Sequence, residues 1–461
     1  MFVVLYLFTT LLIGLGISQK VKTSIDFINT GRRLPLVLNA AALFALWFGS
    51  ETVLGASGTY AEEGLLGVIE DPFGAALCLF IAALFFVRPL FRMNLLTLGD
   101  FYEQKFGKSF GLLASCCMVI SFFSYVAGQF VALGIIFSEV FHWPIFSGIV
   151  ICAVIVCIYT MAGGLWAVSV TDLIQGIVIC IGLTAALFYT SQKLDTWQNF
   201  QDGLQLKYLS FLPSSDLKSI IQWVGAWIMI GLGSVPSQDI FQRFNAARNE
   251  KTAIRSTWLG GLIYLIMSII PLLLTLIAIK LGFTAGHNYE GWSEGLLPAL
   301  LEKHSPLWVQ TLFFGALLSA ILSTASGALL APAGILAENV IIPFSKVPQH
   351  VLEKSNLKIL RLSVLGIALC SLMLALIFKN IFELVALSSA ISLVTLFVPL
   401  CGGLFSKKPK TLPAFVSLIF GLSVYFFLIF IPFDYLPAHL GGLLASIFGY
   451  LVSGPLLKCR L

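Results

Sequence analysis

From one end of this chain to the other, apolar runs long enough to cross a bilayer alternate with short breaks that are polar or carry glycine and proline. A helix rises about 1.5 Å per residue, so about 20 apolar residues cover the ~30 Å hydrocarbon layer. On that measure the pattern predicts thirteen spanning helices, at 1–18, 35–61, 70–91, 109–140, 144–161, 165–190, 219–242, 254–281, 305–340, 358–378, 381–402, 411–432 and 437–457. The fourth and ninth are longer than a perpendicular crossing needs, which predicts tilt or extension beyond the hydrocarbon. The first has no basic residue ahead of its apolar core and no small-residue cleavage site, and Lys20 and Lys22 follow it. It reads as an uncleaved span and not as a signal peptide.

Charge gives the spans a direction. Of the 27 Lys and Arg residues, only Lys193, Lys207, Lys218, Lys280, Lys303 and Lys379 fall on one side of this layout. The positive-inside rule then puts the N-terminus outside and the C-terminus in the cytoplasm, in a cell inner (plasma) membrane. A composition 58% hydrophobic and 11% charged excludes a soluble domain, and the net charge of +5 is accounted for by topology, so no nucleic-acid partner is expected. The nine cysteines form no CxxC pair and read as small apolar residues. Loops are short except 191–218 and 282–304. The second holds His287, Tyr289, Trp292 and Glu294 and either covers an outer vestibule or is a solvated loop with interfacial aromatics. No segment between the spans or after the last is long enough for a soluble domain, so 1–461 reads as one all-α polytopic transmembrane domain.

Three stretches break the apolar rule. The second span reads Trp47-Phe48-Gly49-Ser50-Glu51-Thr52 where a plain spanning helix would carry leucine. A carboxylate near mid-membrane costs about 2.5–3.5 kcal/mol on insertion scales, so Glu51 is expected to face protein, water or ligand. Irregular backbone at that depth is tolerated only where it lines a cavity or is re-satisfied by neighbours. The stretch therefore reads as a discontinuous helix at a solute site; a kinked helix with Glu51 bonded to neighbouring helices is the plainer alternative. In the sixth span Asp172 and Gln175 share a face, and in the ninth Ser319, Ser323 and Ser326 do, with Thr324 beside them. Single hydroxyls in membrane helices mostly bond their own backbone or join helices. Clustered hydroxyls with one carboxylate and the exposed carbonyls of a broken helix suit a hard monovalent cation, which takes oxygen ligands. The five histidines (His142, His287, His304, His350, His439) show no metal spacing and no GxSxG occurs, so no enzyme chemistry is read.

Taken in order, Asp26-Phe27…Gly31-Arg32, the run Gly49–Gly55, Tyr159-Thr160…Gly163-Gly164…Ala167-Val168…Thr171-Asp172…Gln175, Gln238…Gln242-Arg243 and Ser319-Ala320…Ser323-Thr324 resemble the sodium:solute symporter family. The likeness runs from the first span to the last. It implies a leucine-transporter-like core of two inverted five-helix repeats, 35–190 and 219–402, with an extra helix at 1–18 and two C-terminal helices in 411–457. It implies import of a small organic solute with Na+ by alternating access. Gly231-Leu232-Gly233-Ser234-Val235-Pro236 is where the second repeat would break, matching Gly49-Ser50.

Carried over residue by residue, the resemblance makes the sodium ligands the backbone carbonyls of Ala45, Phe48 and Ala320 and the side chains of Ser323 and Thr324. Some members resemble one another at a second sodium position, built from an acid in the sixth span and three hydroxyls in the ninth. Here Asp172, Ser323 and Ser326 match, while Gly327 stands where that pattern has serine; the alternative for Asp172 is a structural pair with Arg243 near the inner gate. Around Pro236–Arg243 the chain is most similar to the choline-transporter branch. Of that branch's aromatic cage only Trp47 is matched, with Ala75, Ser237 and Val385 at the other walls, so choline is not expected. Tyr125 stands where carboxylate carriers have arginine, and Gly233 and Ser234 where sugar carriers have an aromatic pair. The pocket that remains is Trp47, Ser50, Glu51, Thr52, Tyr125, Gln129, Ser237 and Gln238, with one acid and no base, which suits a small zwitterion or a cation. Because Glu51 recurs in relatives with unlike solutes, a structural or gating role stands beside a binding one. Proton coupling through Glu51 or Asp172 is the alternative to sodium, and a membrane sensor that does not transport is the lesser one. The partners expected are the solute and the bilayer, with no obligatory protein partner.

Overall fold

The structure, a computed structural model, describes residues 16, 23–141, 143–193, 205–283, 295–344, 349–378 and 380–456. The first expected span, 1–18, lies outside them except for Gly16, as do His142, His287, Tyr289, Trp292 and Glu294. In chain order the helices are α1 (Ser24–Asn29), α2 (Leu36–Trp47), α3 (Glu51–Glu63), α4 (Leu65–Arg92), α5 (Leu98–Phe106), α6 (Lys108–Phe141), α7 (Ile145–Ser191) and α8 (Leu217–Gly233). They continue with α9 (Gln238–Asn245), α10 (Glu250–Lys280), α11 (Leu296–His304), α12 (Leu307–Phe344), α13 (Gln349–Ile377), α14 (Ile381–Phe405), α15 (Thr411–Phe430) and α16 (Ala438–Leu456). Among the described residues, 8 helices are long and apolar enough to cross a membrane, and up to 10 do so if each of two bent pairs counts as one span. Two shorter apolar helices, Ile145–Ile158 and Ala438–Gly454, complete the set. Each expected span from the second onward falls on one of these.

The bent pairs are α2 with α3, at 52°, and α8 with α9, at 48°. They interrupt the chain beside Gly49-Ser50 and at Ser234–Ser237, where the glycine-bearing runs lie. Helix starts follow local chemistry: Asp216, Asn249 and Asn380 accept from the backbone N–H three residues on. Thr97 with Asp100 forms a capping box that starts α5, an amphipathic helix in what hydropathy alone leaves as a loop. The fifth and sixth expected spans are joined end to end in α7, broken only at Gly164, whose φ is +52°. A Cβ there would lie 2.7 Å from the Phe27 ring, so both conformation and space demand glycine.

Lipid tails are as apolar as leucine, so helices in a bilayer associate through close packing of small residues. Gly182 of α7 faces α12 so closely that a Cβ would sit 2.3 Å from the Leu312 carbonyl oxygen, and one on Gly233 would sit 2.4 Å from that of Ser389. Of the most apolar window of α12, 89% is buried, so its hydroxyls face protein and not lipid.

At the end of the bundle rich in basic residues, several contacts close the protein. The segment at Leu34 pairs in parallel with that at Ala247, through Leu34 N–H to the Ala246 carbonyl and Arg248 N–H to the Leu34 carbonyl, both 3.0 Å. Arg32 donates to the side chains of Asn94 and Asn245. Exposed Arg88 and Arg92 both pair with Glu250, at 3.2 and 2.7 Å.

Candidate functional site

The helix break organises the site. Phe48 leaves helical geometry with φ −89° and ψ 72°, which frees backbone groups in the protein interior. Gln129 of α6 re-satisfies them: its Oε1 accepts from the Ser50 N–H at 3.2 Å, and its Nε2 donates to Glu51 Oε2 at 2.8 Å. One amide thus holds both the broken backbone and the carboxylate beside it. Gly49 has no room for a side chain, since a Cβ would lie 2.5 Å from a Glu51 carboxylate oxygen and 2.9 Å from Thr324 Oγ1.

A second chain of contacts runs from the same break to α10 and α4. The Thr52 hydroxyl meets the Tyr264 hydroxyl at 3.0 Å, and Tyr264 donates to Asp71 Oδ2 at 2.9 Å. Asp71 is 3% exposed, and its other oxygen, Oδ1, has no hydrogen-bond partner among the described residues. Trp47 packs edge-on to Tyr264, with ring centroids 6.5 Å apart, and its buried Nε1 likewise has no partner. Two unsatisfied polar groups of opposite sense therefore border one cavity.

That cavity is walled by Trp47, Glu51 and Asp71, by Phe122 and Tyr125 of α6, by Ile230, Ser234, Ser237 and Asp239 around the second break, and by Val385, Ser388 and Ser389 of α14. Three carboxylates and three aromatic rings line it, with no lysine, arginine or histidine. The open space among them is about 30 Å³, room for about two waters, so a solute fits only once the walls part. Of the residues expected at the solute site, Trp47, Glu51, Tyr125 and Ser237 reach the cavity. Ser50, Thr52 and Gln129 lie behind it and brace the break. Gln238 turns away: its Oε1 accepts from the Leu98 N–H at 2.7 Å.

Asp71, Asp239 and Tyr264 were not among the expected residues. Asp71 opens the third span next to Glu70 and Pro72 and reads as an interfacial acid, yet its extended backbone, φ −139° and ψ 122°, turns it inward. Asp239 lies in the quoted run Pro236–Arg243; the serine two residues ahead of it, Ser237, donates to its Oδ1, as does the Ile240 N–H at 2.7 Å.

The expected cation ligands lie at the junction of α2, α7 and α12. Ala45, Phe48, Ala320, Ser323 and Thr324 are all fully buried. The Thr324 hydroxyl donates to the Ala45 carbonyl at 3.2 Å, bringing two oxygens of that set together across the helix interface. Ser323 donates instead to Asp172 Oδ1 at 2.6 Å, and Asp172 Oδ2 faces Arg243 Nη2 at 3.4 Å, a pair with side chains 0% and 1% exposed. The Ser326 hydroxyl donates back to the Ser323 carbonyl at 2.9 Å. Arg243 also limits Gly327, where a Cβ would lie 2.8 Å from its Nη2.

Known proteins are similar to this chain over most of its length. It is 24% identical over 440 residues to the high affinity choline transporter 1 of Homo sapiens, covering 91% of this chain and 75% of that one. It is 25% identical over 400 residues to the sodium/proline symporter of Staphylococcus aureus (strain JH9), covering 81% and 74%. Its fold is similar to that of a substrate-bound, outward-open Na+-coupled sialic acid symporter, with TM-score 0.83, 20% identity and coverage of 98% and 96%. It is also similar to a nucleobase-cation-symport-1 family transporter in a closed conformation, with TM-score 0.63, 15% identity and coverage of 96% and 97%. These relatives are transporters and not enzymes. The family model for the sodium:solute symporter family matches residues 27–421, most of the chain: the chain belongs to the sodium:solute symporter family.

Proposed function

We propose that the protein is a sodium-coupled symporter that imports a small organic amine in its protonated form. The observation that carries the solute class is the cavity wall, where Glu51, Asp71 and Asp239 meet Trp47, Phe122 and Tyr125 without a basic side chain. A cation in such a space gains from the carboxylates and from the ring faces together. Asp71 Oδ1, unpartnered among the described residues, favours an ammonium with N–H donors over a quaternary one, which would leave that acceptor unmet. That argument, like the missing cage aromatics, speaks against choline even though choline transporters are among the relatives.

Sodium coupling is supported by the family and by the Thr324–Ala45 contact, where a hydroxyl of α12 meets a carbonyl at the end of α2. For architecture we infer thirteen spans, two inverted five-helix repeats in 35–190 and 219–402, an outside N-terminus and a cytoplasmic C-terminus, so that the basic-rich end faces the cytoplasm. The paired bends of 52° and 48° support the repeat. Reporter fusions placing both termini on one side would sink this topology.

The test of function is uptake into proteoliposomes, with a panel of primary and secondary amines, amino acids, sugars and carboxylates as solutes. An amine is expected to be taken up only with external sodium, and to be lost when lithium or choline replaces it. A carboxylate or sugar as the preferred solute would overturn the solute class. Uptake driven by a pH gradient in the absence of sodium would assign the coupling to protons instead.

A further inference from the structure

On the lipid-facing side of the bundle lies a second, separate cavity: an apolar groove of about 290 Å³ between α2, the second half of α7 and α10. Small residues make it. Ala41 of α2 and Gly176 and Cys180 of α7 leave a trough, which Phe44, Leu259 and Ile263 close at the back and side. The lining is apolar throughout, which suits an acyl chain.

The face of α10 that forms one wall continues toward the basic-rich end with a different chemistry. Ile263 and Leu259 are followed, at the same four-residue spacing, by Arg255 and Lys251, so each lies beside the next along a ridge that turns about 40° per step. Both basic side chains are exposed, and among the described residues neither makes an ion pair. The adjacent Glu250 is engaged by Arg88 and Arg92. From Arg255 to Ile263 the helix rises ~12 Å, so the groove and two cations form one continuous strip, apolar inside and positive at its mouth. We propose that this strip is a binding site for an anionic phospholipid, with one acyl chain in the groove and the headgroup phosphate on Arg255 and Lys251. The chain would lie against Ala41 and Phe44 in α2, the half-helix that ends at Trp47, and so would tie that half-helix to α7 and α10.

The purified full-length protein in neutral detergent is titrated with phosphatidylglycerol or with phosphatidylcholine, reading melting temperature and the lipid retained in native mass spectrometry. Phosphatidylglycerol is expected to be retained and to raise the melting temperature by mass action, and phosphatidylcholine to do so weakly. Each basic residue near a membrane surface contributes about fivefold to binding of acidic lipid, so Lys251→Gln with Arg255→Gln should weaken it by about 30-fold. Gly176→Leu, which fills the groove, should abolish retention while both cations remain. Lys407→Gln with Lys408→Gln, on another loop at the same end, should leave binding at the parent level. Should Gly176→Leu fold poorly, Ala41→Leu fills the same space and the charge variants still decide. Equal loss in the Lys407/Lys408 control, undiminished retention in both groove-filling variants, or the same stabilisation by inorganic phosphate alone would each overturn the proposal.

Discussion

Replacing Gln129 with leucine tests whether one amide holds the helix break together. Leucine keeps much of the volume and suits a membrane helix, but it removes both the acceptor for the Ser50 N–H (3.2 Å) and the donor to Glu51 (2.8 Å). All three residues are at most 3% exposed, so water does not replace the amide. A buried N–H left unmet costs about 1–3 kcal/mol, and a hydrogen bond to a charged group contributes about 1.5–3 kcal/mol. The Ser50 hydroxyl, 3.5 Å from the same carboxylate oxygen, can turn to offset part of this. A net loss of about 2–4 kcal/mol remains by these figures. At 1.4 kcal/mol per tenfold, that lowers the population of the intact site by about 30-fold or more. Purified Gln129→Leu is expected to melt at a lower temperature than the parent and to bind its solute at least about tenfold more weakly. Gln129→Glu is the informative companion. It keeps an acceptor for Ser50 but sets a second carboxyl against Glu51, so it should also lose binding. A leucine variant that melts and binds like the parent would refute the assignment, because the break would then hold without the amide.

Three further outcomes follow from the geometry. Ser323→Ala with Thr324→Ala removes two oxygens of the expected cation set at a cost of about 1–3 kcal/mol each; the sodium concentration for half-maximal uptake should rise at least tenfold while expression stays near normal, and an unchanged sodium dependence would reject those ligands. Asp172→Asn takes the ion-pair partner from buried Arg243, a loss of about 3–5 kcal/mol; the variant should melt well below the parent, Asp172→Leu with Arg243→Met should recover much of the difference, and equal melting of all three would mean that the pair is not held in the folded protein. Gly233→Ala places a methyl 2.4 Å from the Ser389 carbonyl oxygen, so about 1–3 kcal/mol of overpacking should reduce folded protein recovered from membranes, whereas normal yield would show that α8 and α14 pack less closely.

The spans were legible because the bilayer imposes one length and one polarity on each, and nearly every expected boundary lies within a few residues of an observed one. The first break could be read from Gly49-Ser50, since glycine and polar residues inside an apolar run have few other uses, whereas the second, at Gly231–Pro236, was expected from the family resemblance. What hydropathy hides is anything set by a turn. Helix α5 fell in an expected loop, although Thr97 and Asp100 spell a capping box. Asp71 looked interfacial because its inward direction comes from one extended residue ahead of Pro72, and Tyr264 was one more aromatic in an apolar run until its hydroxyl was seen between Thr52 and Asp71. Gln238 was expected at the solute site from its polarity beside a break, and its amide oxygen accepts from the start of α5.

The pairing of the Leu34 and Ala247 segments has a consequence for how the carrier is driven. Two backbone hydrogen bonds hold that seam, together worth about 1–3 kcal/mol net; Arg32 adds its bonds to Asn94 and Asn245, and the ion pairs around Glu250 are exposed, so they add little. Moving one elementary charge through 100 mV releases about 2.3 kcal/mol. Under the proposed sodium coupling, the electrical work of one cation is of the same order as these two backbone bonds.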